Sequence, residues 1–407
     1  MSSTSTDATV TGLEGPPEIH ESFDTMGLSD ELLHGIYANG FDKPSKIQRI
    51  AITPMRDHRD ILAQSQSGTG KTGTFTIGAL ACIDPRNLSP QVLVLEPTRE
   101  LAQQTEKVAR ALGTFLKVTD NEKDGGLKVL CATGGIPVAQ DQRLLRAGAQ
   151  FVVGTPGRIF DLIRRGDLKL RNMKYLILDE ADQLFDDLFL EQIEHILRIG
   201  EFGDGTRLAM FSATMPEAVL HLADKYLIKP VKILLPAEEV RLEGIKQYHI
   251  SMDREEWKFD TFVDIFKHIT VNQAIVFVNK RGKAETLTKR MLDEGYTLEY
   301  IHGEMEVAER KKRLDDFRNG NVRILVATDV LARGIDVQTV SVVINYEMPP
   351  NRENYFHRIG RCGRYGRKGV SINLIAGSEE LAMMNDIEKH YSITIPSLPD
   401  DLAILNA

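Results

Sequence analysis

Short, continuous apolar runs recur along the chain, and almost every one ends in a segment rich in polar residues, glycine or proline. The runs read QVLVLEPT (91–98), KVLCATGG (128–135), AQFVVGTP (149–156), KYLILDEAD (174–182), RLAMFSAT (207–214), QAIVFVN (273–279), LEYIHGE (298–304), VRILVATD (322–329) and VSVVINYEMP (340–349). Continuous rather than alternating hydrophobicity predicts strands buried on both faces, hence parallel sheets covered by helices. Ligands of such sheets bind beyond the carboxyl ends of the strands, where these polar segments lie.

A pause in the apolar runs predicts that the chain forms two domains. The segment KPVKILLPAEEVRLEGIKQYHI (229–250) carries two prolines and charges of both signs, as interdomain linkers often do. We expect a disordered tail over residues 1–21, a first lobe over 22–236, a linker over 237–244 and a second lobe over 245–407. The fold class that follows is α/β, with two doubly wound parallel sheets in tandem that face each other across a cleft.

The composition indicates a folded protein of a reducing compartment. The chain has 407 residues, of which 42% are hydrophobic and 27% are charged, and its formal net charge is −8. Cys82, Cys131 and Cys362 are odd in number and widely separated, so they predict neither a disulfide framework nor a zinc site. The first basic residue is Lys43, and no apolar run approaches the roughly 18 residues of a membrane helix. We therefore expect a cytoplasmic protein without membrane contact, with the nucleus as the alternative.

The segment SQSGTGKT (65–72) has the sequence of a phosphate-binding loop. It follows the apolar stretch DILAQ and precedes a helical pattern, which is the strand–loop–helix context that such a loop requires. Backbone N–H groups can surround phosphate oxygens, Lys71 can reach the β- and γ-phosphates, and the Thr72 hydroxyl can bind Mg²⁺. Ser65 stands where the general pattern has glycine. We predict that ATP and Mg²⁺ bind here, through Ser67, Gly68, Thr69, Gly70, Lys71 and Thr72.

A cluster of acidic residues lies at the end of a predicted strand, in LDEAD (178–182). Acidic residues are also common at helix N-termini for electrostatic reasons alone. At the end of a strand downstream of a phosphate loop, however, a carboxylate can bind Mg²⁺ and a neighbouring one can orient or deprotonate water. We predict that Asp179 binds the metal, mostly through water, and that Glu180 acts on the attacking water.

The segment GFDKPSKIQ (40–48) offers an aromatic ring and an amide for base selection. The Gln48 side chain can read the hydrogen-bonding edge of adenine while Phe41 stacks on its face. Taken alone, the same residues would more often be a core aromatic and a polar residue on a helix surface. Their occurrence beside the other two motifs makes them candidates for adenine binding.

Four arginines recur at three-residue intervals in HRIGRCGRYGR (357–367), and three of them directly follow a glycine. Such steps do not place them in one stripe of a helix, and three glycines would cost a helix roughly 3 kcal/mol. Guanidinium groups hold phosphate through a rigid fork of donors, and glycine lets the backbone approach such a ligand. A charged surface loop is the alternative. Because the chain as a whole is acidic, any contact with a polyanion must be local.

Together these motifs resemble those of the DEAD-box ATP-dependent RNA helicases, from Phe23 to the last predicted helix. The matching segments, in that family's order, are GFDKPSKIQ, SQSGTGKT, PTREL (97–101), GG (134–135), TPGR (155–158), DEAD (179–182), SAT (212–214), VFVN (276–279), ATDVLARGID (327–336) and HRIGRCGR (357–364). Within the family, AQSQSGTGKT and VINYEMPPNRENYFHRIGR are most similar to the translation initiation factor 4A subfamily. The resemblance implies two RecA-like lobes, ATP and Mg²⁺ as cofactors, and single-stranded RNA bound through its backbone.

The resemblance also implies roles for individual residues. Phe23, Phe41 and Gln48 would hold adenine, and Asp336 would contact the ribose. The catalytic residues would be Lys71, Asp179, Glu180, Arg361 and Arg364, with the two arginines reaching the γ-phosphate from the second lobe. The residues that couple the nucleotide site to RNA would be Asp182, Ser212, Thr214, His357 and Arg358. The predicted RNA track consists of Thr98, Arg99, Gly135, Thr155, Arg158, Asn279, Arg310 and Thr328.

Contacts to the RNA backbone let an acidic chain bind RNA, because a narrow groove of donors needs no basic surface. Such contacts carry no base information directly, so binding should not depend on RNA sequence. Discrimination against DNA would come from the 2′-hydroxyl. The sequence departs from the family at Val307, where glutamine is usual, in the acidic insertion TDNEKDGG (119–126), and at Ala327 and Cys362. These departures concern partner and RNA binding more than ATP hydrolysis.

The predicted function is that of an RNA helicase in translation initiation, in which ATP and RNA close two mobile lobes and short duplexes come apart. A phosphate-loop kinase or simple ATPase would not explain the second lobe or the arginines, and a DNA translocase does not match the DEAD and HRIGR segments. An ATP-dependent RNA clamp in splicing or ribosome assembly differs in role rather than in chemistry, and the motifs do not separate it from a helicase. We expect a monomer whose lobes are stimulated or clamped by a partner such as a HEAT-repeat scaffold.

Overall fold

A computed structural model describes residues 9–13, 15–65, 68–117, 126–185, 187–234, 244–268, 272–329, 339–362 and 369–399. The chain divides into two compact units, Met1–Pro236 and Ala237–Ala407, and each unit has its own sheet. Across the described ranges, no helix combines the length and the apolar character that crossing a membrane would require.

The first unit is built on one sheet. Its described strands are β1 (Thr9–Thr11), β2 (Ile61–Gln64), β3 (Val92–Leu95), β4 (Val129–Ala132), β5 (Phe151–Gly154), β6 (Tyr175–Leu178), β7 (Arg207–Ser212) and β8 (Val231–Leu234). They lie in the order β1-β8-β2-β7-β6-β3-β5-β4. The described ladders are parallel except for that of β1 with β8. The carboxyl ends of the parallel strands therefore meet at one edge of the sheet.

Helices connect these strands and cover the sheet. They are α1 (Asp30–Ala38), α2 (Lys46–Arg56), α3 (Lys71–Leu80), α4 (Arg99–Leu112), α5 (Val138–Ala147), α6 (Pro156–Arg164), α7 (Ala181–Leu184), α8 (Asp187–Ile199) and α9 (Glu217–Tyr226), and a short 3₁₀ helix spans Phe23–Met26. In β3, Val92 and Val94 pack in the same cluster as Phe75 of α3, whereas Leu93 and Leu95 pack with Ile159 of α6. Both faces of the sheet are thus buried, which is why its strands read as continuous apolar runs.

The second unit repeats this architecture with fewer strands. Its described strands are β9 (Ile245–Met252), β10 (Gln273–Phe277), β11 (Leu298–Ile301), β12 (Ile324–Ala327), β13 (Val340–Asn345) and β14 (Gly369–Ala376), in the order β11-β12-β10-β13-β14-β9. Its helices are α10 (Trp257–His268), α11 (Arg281–Asp293), α12 (Val307–Arg318), α13 (Arg352–Ile359) and α14 (Gly377–Tyr391). Every named ladder is parallel, so the predicted α/β class with two parallel sheets is confirmed.

Regular structure extends into segments that we expected to lack it. Strand β1 lies in the expected disordered tail, so that expectation was wrong for Thr9–Thr11. Strands β8 and β9 fall where the apolar runs pause, around residues 229–250. β8 alternates buried and partly exposed positions, whereas β9 buries Tyr248 alone among its eight residues. Alternation is typical of strands that are only half buried, and it interrupts the continuous apolar pattern. Residues 237–243 of the expected linker, and 119–125 of the acidic insertion, lie outside the described residues.

Strand β14 escaped the sequence analysis because polar residues interrupt it. Ser371 and Asn373 are both 0% exposed. The Asn373 Nδ2 donates to the Tyr248 carbonyl at 2.9 Å, and its Oδ1 accepts from Asn345 Nδ2 at 2.8 Å. A buried amide whose donors and acceptors are paired costs little, so the strand can lie inside the sheet.

Candidate functional site

The phosphate loop connects β2 to α3 at the edge where the parallel strands end. Gly68 and Gly70 have φ values of 86° and 100°, a left-handed backbone that glycine adopts without steric cost. The Ser65 N–H donates to the Ser212 carbonyl at 2.9 Å, and the Ser65 and Thr69 hydroxyls share a hydrogen bond. These contacts fix the loop to β7 and leave the start of α3 pointing at the sheet edge. Ser67 lies outside the described residues.

Lys71 is the first residue of α3, and its ammonium is buried against the DEAD segment. Its side chain is 5% exposed, and Nζ lies 3.2 Å from Glu180 Oε1. Burial alone would lower the pKa of Lys71, but the carboxylates of Glu180, Asp179 and Asp182 outweigh that effect and raise it. The lysine therefore carries a positive charge at the start of a helix, where phosphate is already favoured.

The acidic pair of the DEAD segment lies directly beyond the end of β6. Asp179 is 2% exposed and Glu180 is 4% exposed, and the Glu180 N–H donates to Asp179 Oδ1 at 2.9 Å. Glu180 has φ 48° and ψ 51°, a left-handed conformation that costs a residue with a side chain of the order of 1–3 kcal/mol. Burial raises the pKa of Asp179 to about 7, although the Lys71 charge acts in the opposite direction. A bound cation would relieve this unfavourable charge.

Asp182, Ser212 and Thr214 form one hydrogen-bonded cluster next to this pair. The Asp182 N–H donates to Ser212 Oγ at 3.2 Å, and Thr214 Oγ1 donates to Asp182 Oδ2 at 2.8 Å. The Ser212 carbonyl also accepts a hydrogen bond from the Ser65 N–H of the phosphate loop. A shift of that loop would therefore displace Ser212 and the SAT segment. The structure thus brings together the predicted coupling residues of the first unit.

The GFDKPSKIQ segment lies against the start of α3. The Ser45 N–H donates to Gln48 Oε1 at 2.8 Å, and Gln48 Nε2 donates to the Gly70 carbonyl at 3.4 Å. A Cβ on Gly73 would lie 2.8 Å from Gln48 Nε2 and 2.9 Å from Phe41 Cε1. Both predicted adenine-binding residues therefore border the phosphate loop, and Gln48 fixes the position of that loop as well.

Phe23 does not lie in this site. It is 0% exposed within the core of the first unit, and its ring meets that of Tyr37 edge to face, with 6.3 Å between centroids. A ring without accessible surface has no face to offer adenine, so the prediction of direct nucleotide contact was wrong. Its aromatic character serves packing instead.

The RNA-track residues of the first unit lie beyond the ends of β3, β4 and β5. Thr98 caps α4 by accepting the Leu101 N–H at 3.3 Å, and a Cβ on Gly134 would lie 3.0 Å from Arg99 Nη2. Arg158 pairs with Asp141 and donates from Nη2 to the Ile136 carbonyl at 2.5 Å. The structure brings together Thr98, Arg99, Gly135, Thr155 and Arg158. The guanidinium of Arg158 is bonded within the unit, where it holds the segment that follows Gly135.

The second unit is organised around the buried guanidinium of Arg358, which is 0% exposed. Its Nε and Nη2 donate to the two oxygens of Asp329 at 2.6 and 2.9 Å, and Nη2 also donates to Asn279 Oδ1 at 2.6 Å. The Thr328 N–H donates to the Ile301 carbonyl at 3.2 Å. The contacts therefore join Asn279 of the predicted track to Arg358, a predicted coupling residue, and Thr328 directly precedes Asp329, which Arg358 binds.

The remaining residues of the second unit are placed less completely. His357 is 1% exposed and Arg310 is 7% exposed. Arg361 is 3% exposed, and its Nε donates to the His357 carbonyl at 3.1 Å. Asp336 and Arg364, predicted to contact ribose and γ-phosphate, lie outside the described residues.

Glu96 is a buried carboxyl near the site that the sequence analysis missed. It follows β3, is 0% exposed, and accepts a hydrogen bond from Thr105 Oγ1 at 2.7 Å. Burial, followed by the charge of Asp179, raises the pKa of Glu96 well above its ordinary value. The sequence does contain a signal, because an acid directly after a fully apolar strand demands a reason.

The residues present fit ATP and Mg²⁺. The glycine backbone and the charged Lys71 suit phosphate, and the buried carboxyls of Asp179 and Glu180 offer the hard oxygen ligands that Mg²⁺ prefers. Two further polar side chains with predicted nucleotide or coupling roles lie beside them, namely Gln48 and Asp182, and Thr72 follows Lys71 in α3.

Comparison with known proteins agrees with this geometry. The profile described as DEAD/DEAH box helicase matches residues 45–222, and that described as Helicase conserved C-terminal domain matches residues 257–366. ATP-dependent RNA helicase eIF4A of Emericella nidulans is 47% identical, covering 95% of this chain and 94% of that protein. Eukaryotic initiation factor 4A-1 of Arabidopsis thaliana is 46% identical, covering 95% of this chain and 91% of that protein.

Solved structures show the same likeness. S. cerevisiae Dbp5 bound to RNA and ADP BeF3 superposes with a TM-score of 0.84 at 36% identity, covering 95% of this chain and 97% of that chain. A Dbp5 variant bound to a Gle1 variant and IP6 gives a TM-score of 0.75 at 35% identity, with coverage of 95% and 97%. The chain therefore belongs to the DEAD/DEAH box helicase family, as a DEAD-box RNA helicase of the eIF4A type.

Proposed function

We infer that the protein is an RNA-stimulated ATPase and ATP-dependent RNA helicase that acts in translation initiation. The observation that carries this inference is the buried Lys71–Glu180 ion pair, which joins the phosphate loop to the DEAD segment in a chain that matches both helicase profiles. The relatives named as initiation factors support a cytoplasmic role in translation. Action in the nucleus is the alternative.

The hydrolytic step follows from the positions of three side chains. Lys71 would bind the β- and γ-phosphates, and Asp179 would hold the hydrated cation through its carboxylate. Mg²⁺, when bound, would neutralise phosphate charge. The Glu180 carboxylate lies 3.2 Å from the Lys71 ammonium, so phosphate would compete for that ammonium and release Glu180 to orient the attacking water.

Arg361 and Arg364 are proposed to complete the site from the second unit. Arginines of this kind stabilise the charge that develops as the γ-phosphoryl group leaves. ATP can draw the two units together only to the extent that the closed state binds it more tightly than the open state. The coupling residues Asp182, Ser212 and Arg358 would then relay closure to bound RNA.

RNA is proposed to lie along the strand ends of both units. The track residues of the first unit are Thr98, Arg99, Gly135, Thr155 and Arg158, and those of the second unit are Asn279, Arg310 and Thr328. Hydroxyl, amide and backbone donors of this type bind phosphates and sugars, so affinity should depend little on base sequence. Local strand bending on closure would separate a short duplex.

A second candidate function, an ATP-dependent RNA clamp, has one observation in its favour. The similar structure of Dbp5 bound to Gle1 is that of a complex with a protein partner. A partner that holds the two units closed would suppress hydrolysis and keep RNA bound. We propose that such a partner, of which a HEAT-repeat scaffold is one example, stimulates or clamps a monomer of this protein.

Steady-state ATP hydrolysis tests the proposed function. Rates are measured with no nucleic acid, with single-stranded RNA and with DNA of the same sequence, for the wild type and for Glu180→Gln. We expect strong stimulation by RNA alone, and we expect it to be lost in Glu180→Gln. DNA-stimulated turnover would favour a translocase, and phosphorylation of an acceptor would favour a kinase.

A retention assay separates the helicase from the clamp. Labelled RNA is bound in the presence of a non-hydrolysable ATP analogue, then challenged with unlabelled RNA. Negligible ATP hydrolysis together with slow RNA release would favour the clamp function over the helicase function. Rapid ATP turnover with unwinding of a short duplex would exclude it.

A further inference from the structure

Glu96 lies beside Asp179 at the edge where β3 and β6 end. The two strands pair in parallel register, with Leu95 opposite Leu178, so Glu96 and Asp179 occupy the next matching positions. The Asp179 N–H donates to the Leu95 carbonyl at 3.2 Å, which continues the pairing beyond the strands. Since neighbouring strands lie about 4.8 Å apart, the two residues are adjacent in the backbone.

Both side chains extend the face of the sheet that α3 covers. Val94 and Ile177 pack in the cluster that contains Phe75 of α3, whereas Leu95 and Leu178 pack on the opposite face. Because side chains alternate along a strand, Glu96 and Asp179 follow Val94 and Ile177. The hydrogen bond from Thr105 of α4 to Glu96 agrees with this face, since Ala102 of α4 packs there as well.

One oxygen of Glu96 is bonded and the other is not. Oε1 accepts the Thr105 hydroxyl at 2.7 Å, whereas Oε2 is buried and has no hydrogen-bond partner among the described residues. An unpaired buried oxygen is unfavourable, so a group that donates a hydrogen bond to Oε2 would stabilise this arrangement. The nearest chemistry is the proposed cation site at Asp179.

We propose that Glu96 is a positioning residue of the magnesium site, whose Oε2 accepts a hydrogen bond from a water of the cation's hydration shell. Mg²⁺ keeps several of its waters in proteins, and carboxyls that bind such waters orient the ion without contacting it. Thr105 fixes the carboxyl by holding Oε1, which leaves Oε2 available to a water at the neighbouring end of β6, where Asp179 lies. The inference rests on the proposed magnesium–nucleotide function and adds a residue to it.

Binding of a fluorescent ADP analogue at stepwise Mg²⁺ concentrations tests the role of Glu96. In Glu96→Gln, the Thr105 hydroxyl would still donate to the amide oxygen, and the amide NH₂ would take the place of Oε2. An NH₂ group can only donate, so it could not accept the hydrogen bond of the water. We expect the Mg²⁺ concentration at half-maximal effect to rise about 10-fold, with ADP affinity in EDTA unchanged. Glu96→Ala should show the same shift, and Thr105→Val a smaller one. Thr288→Val, which removes a buried hydroxyl in the other unit, serves as the matched control.

The outcomes separate the inference from the function on which it rests. A Mg²⁺ midpoint in Glu96→Gln equal to that of the wild type would overturn the role of Glu96 while leaving the magnesium site intact. Equal weakening of ADP binding with and without Mg²⁺ would assign Glu96 to packing and would overturn the role too. Wild-type ADP binding that ignores Mg²⁺ would overturn the proposed magnesium site itself.

Discussion

Asp179 has a charge that the fold disfavours until a cation is bound. Burial raises the pKa of its carboxyl from 3.8 to about 7 in the metal-free protein. A carboxyl whose folded pKa lies above its unfolded value contributes stability that is fully present below the unfolded pKa and is lost as the pH rises through the folded pKa. We therefore expect the melting temperature in EDTA to fall as the pH rises from about 4 to about 7, to level off above that, and to fall less in Asp179→Asn.

Mg²⁺ with ADP should reduce that pH dependence. A cation beside the carboxylate favours its charged form and returns its pKa toward the ordinary range. Thermal unfolding of the wild type in EDTA and in saturating Mg²⁺–ADP makes the comparison. Equal slopes in the wild type and Asp179→Asn would show that another group titrates in this window.

Arg358 is expected to be the residue whose loss most weakens the second unit. Its guanidinium is 0% exposed and donates to both oxygens of Asp329, so Arg358→Ala would leave that carboxylate and Asn279 without their partner. Breaking one side of a buried ion pair costs about 3–5 kcal/mol. Urea unfolding measures it, with Arg352→Ala as the control, because Arg352 pairs with Asp386 at the surface and should cost at most about 1 kcal/mol. A similar loss in both variants would contradict this account.

The loop between β2 and α3 requires glycine at position 70 for two reasons, the left-handed backbone conformation and the lack of room for a Cβ atom. Gly70 has φ 100°, and a Cβ there would lie 2.9 Å from Ser45 Oγ and 3.0 Å from Gln48 Nε2. Gly70→Ala should therefore displace the GFDKPSKIQ segment and weaken ADP binding about 10-fold or more, equivalent to about 1.4 kcal/mol. Gly166→Ala is the matched control, because Gly166 has φ 75° with nothing within 4 Å. It should cost about 1 kcal/mol of stability and leave ADP binding unchanged.

The elements that the sequence predicts well are those buried on both faces. Strands β3, β5 and β6 read as continuous apolar runs because helices cover both sides of them. Strands β8, β9 and β14 were missed, because exposed positions or paired polar residues such as Asn373 break the run. The proximity of Lys71 to Asp179 and Glu180 could be predicted from motif and position, while the roles of these residues stay predictions. The burial of Phe23 and the position of Glu96 beside Asp179 could not be predicted. Both depend on which helices and strands become neighbours in the fold.

At the scale of the whole molecule, an acidic chain with a net charge of −8 has to bind a polyanion. The described donors at the strand ends of the first unit are spread over several short segments rather than gathered in one basic patch. Only contacts that neutralise a phosphate release counterions, so the salt dependence of RNA binding should be shallow and should report individual arginines. Arg99 is the one to examine first, because it lies beside Gly134 at the start of α4.

Arg99→Ala should lower RNA affinity and reduce the slope of log K against log salt by about 0.7, the value for one phosphate contact on a single strand. The measurement is fluorescence anisotropy of labelled single-stranded RNA over a series of salt concentrations, with a non-hydrolysable ATP analogue present. Arg146→Ala removes the same charge from an exposed position in the last turn of α5, so it lowers general attraction without removing a track contact. We expect its slope to match that of the wild type and the affinity of each variant to be similar for RNAs of different sequence. Equal slopes in Arg99→Ala and Arg146→Ala would show that Arg99 acts through the field of the protein and not through a phosphate.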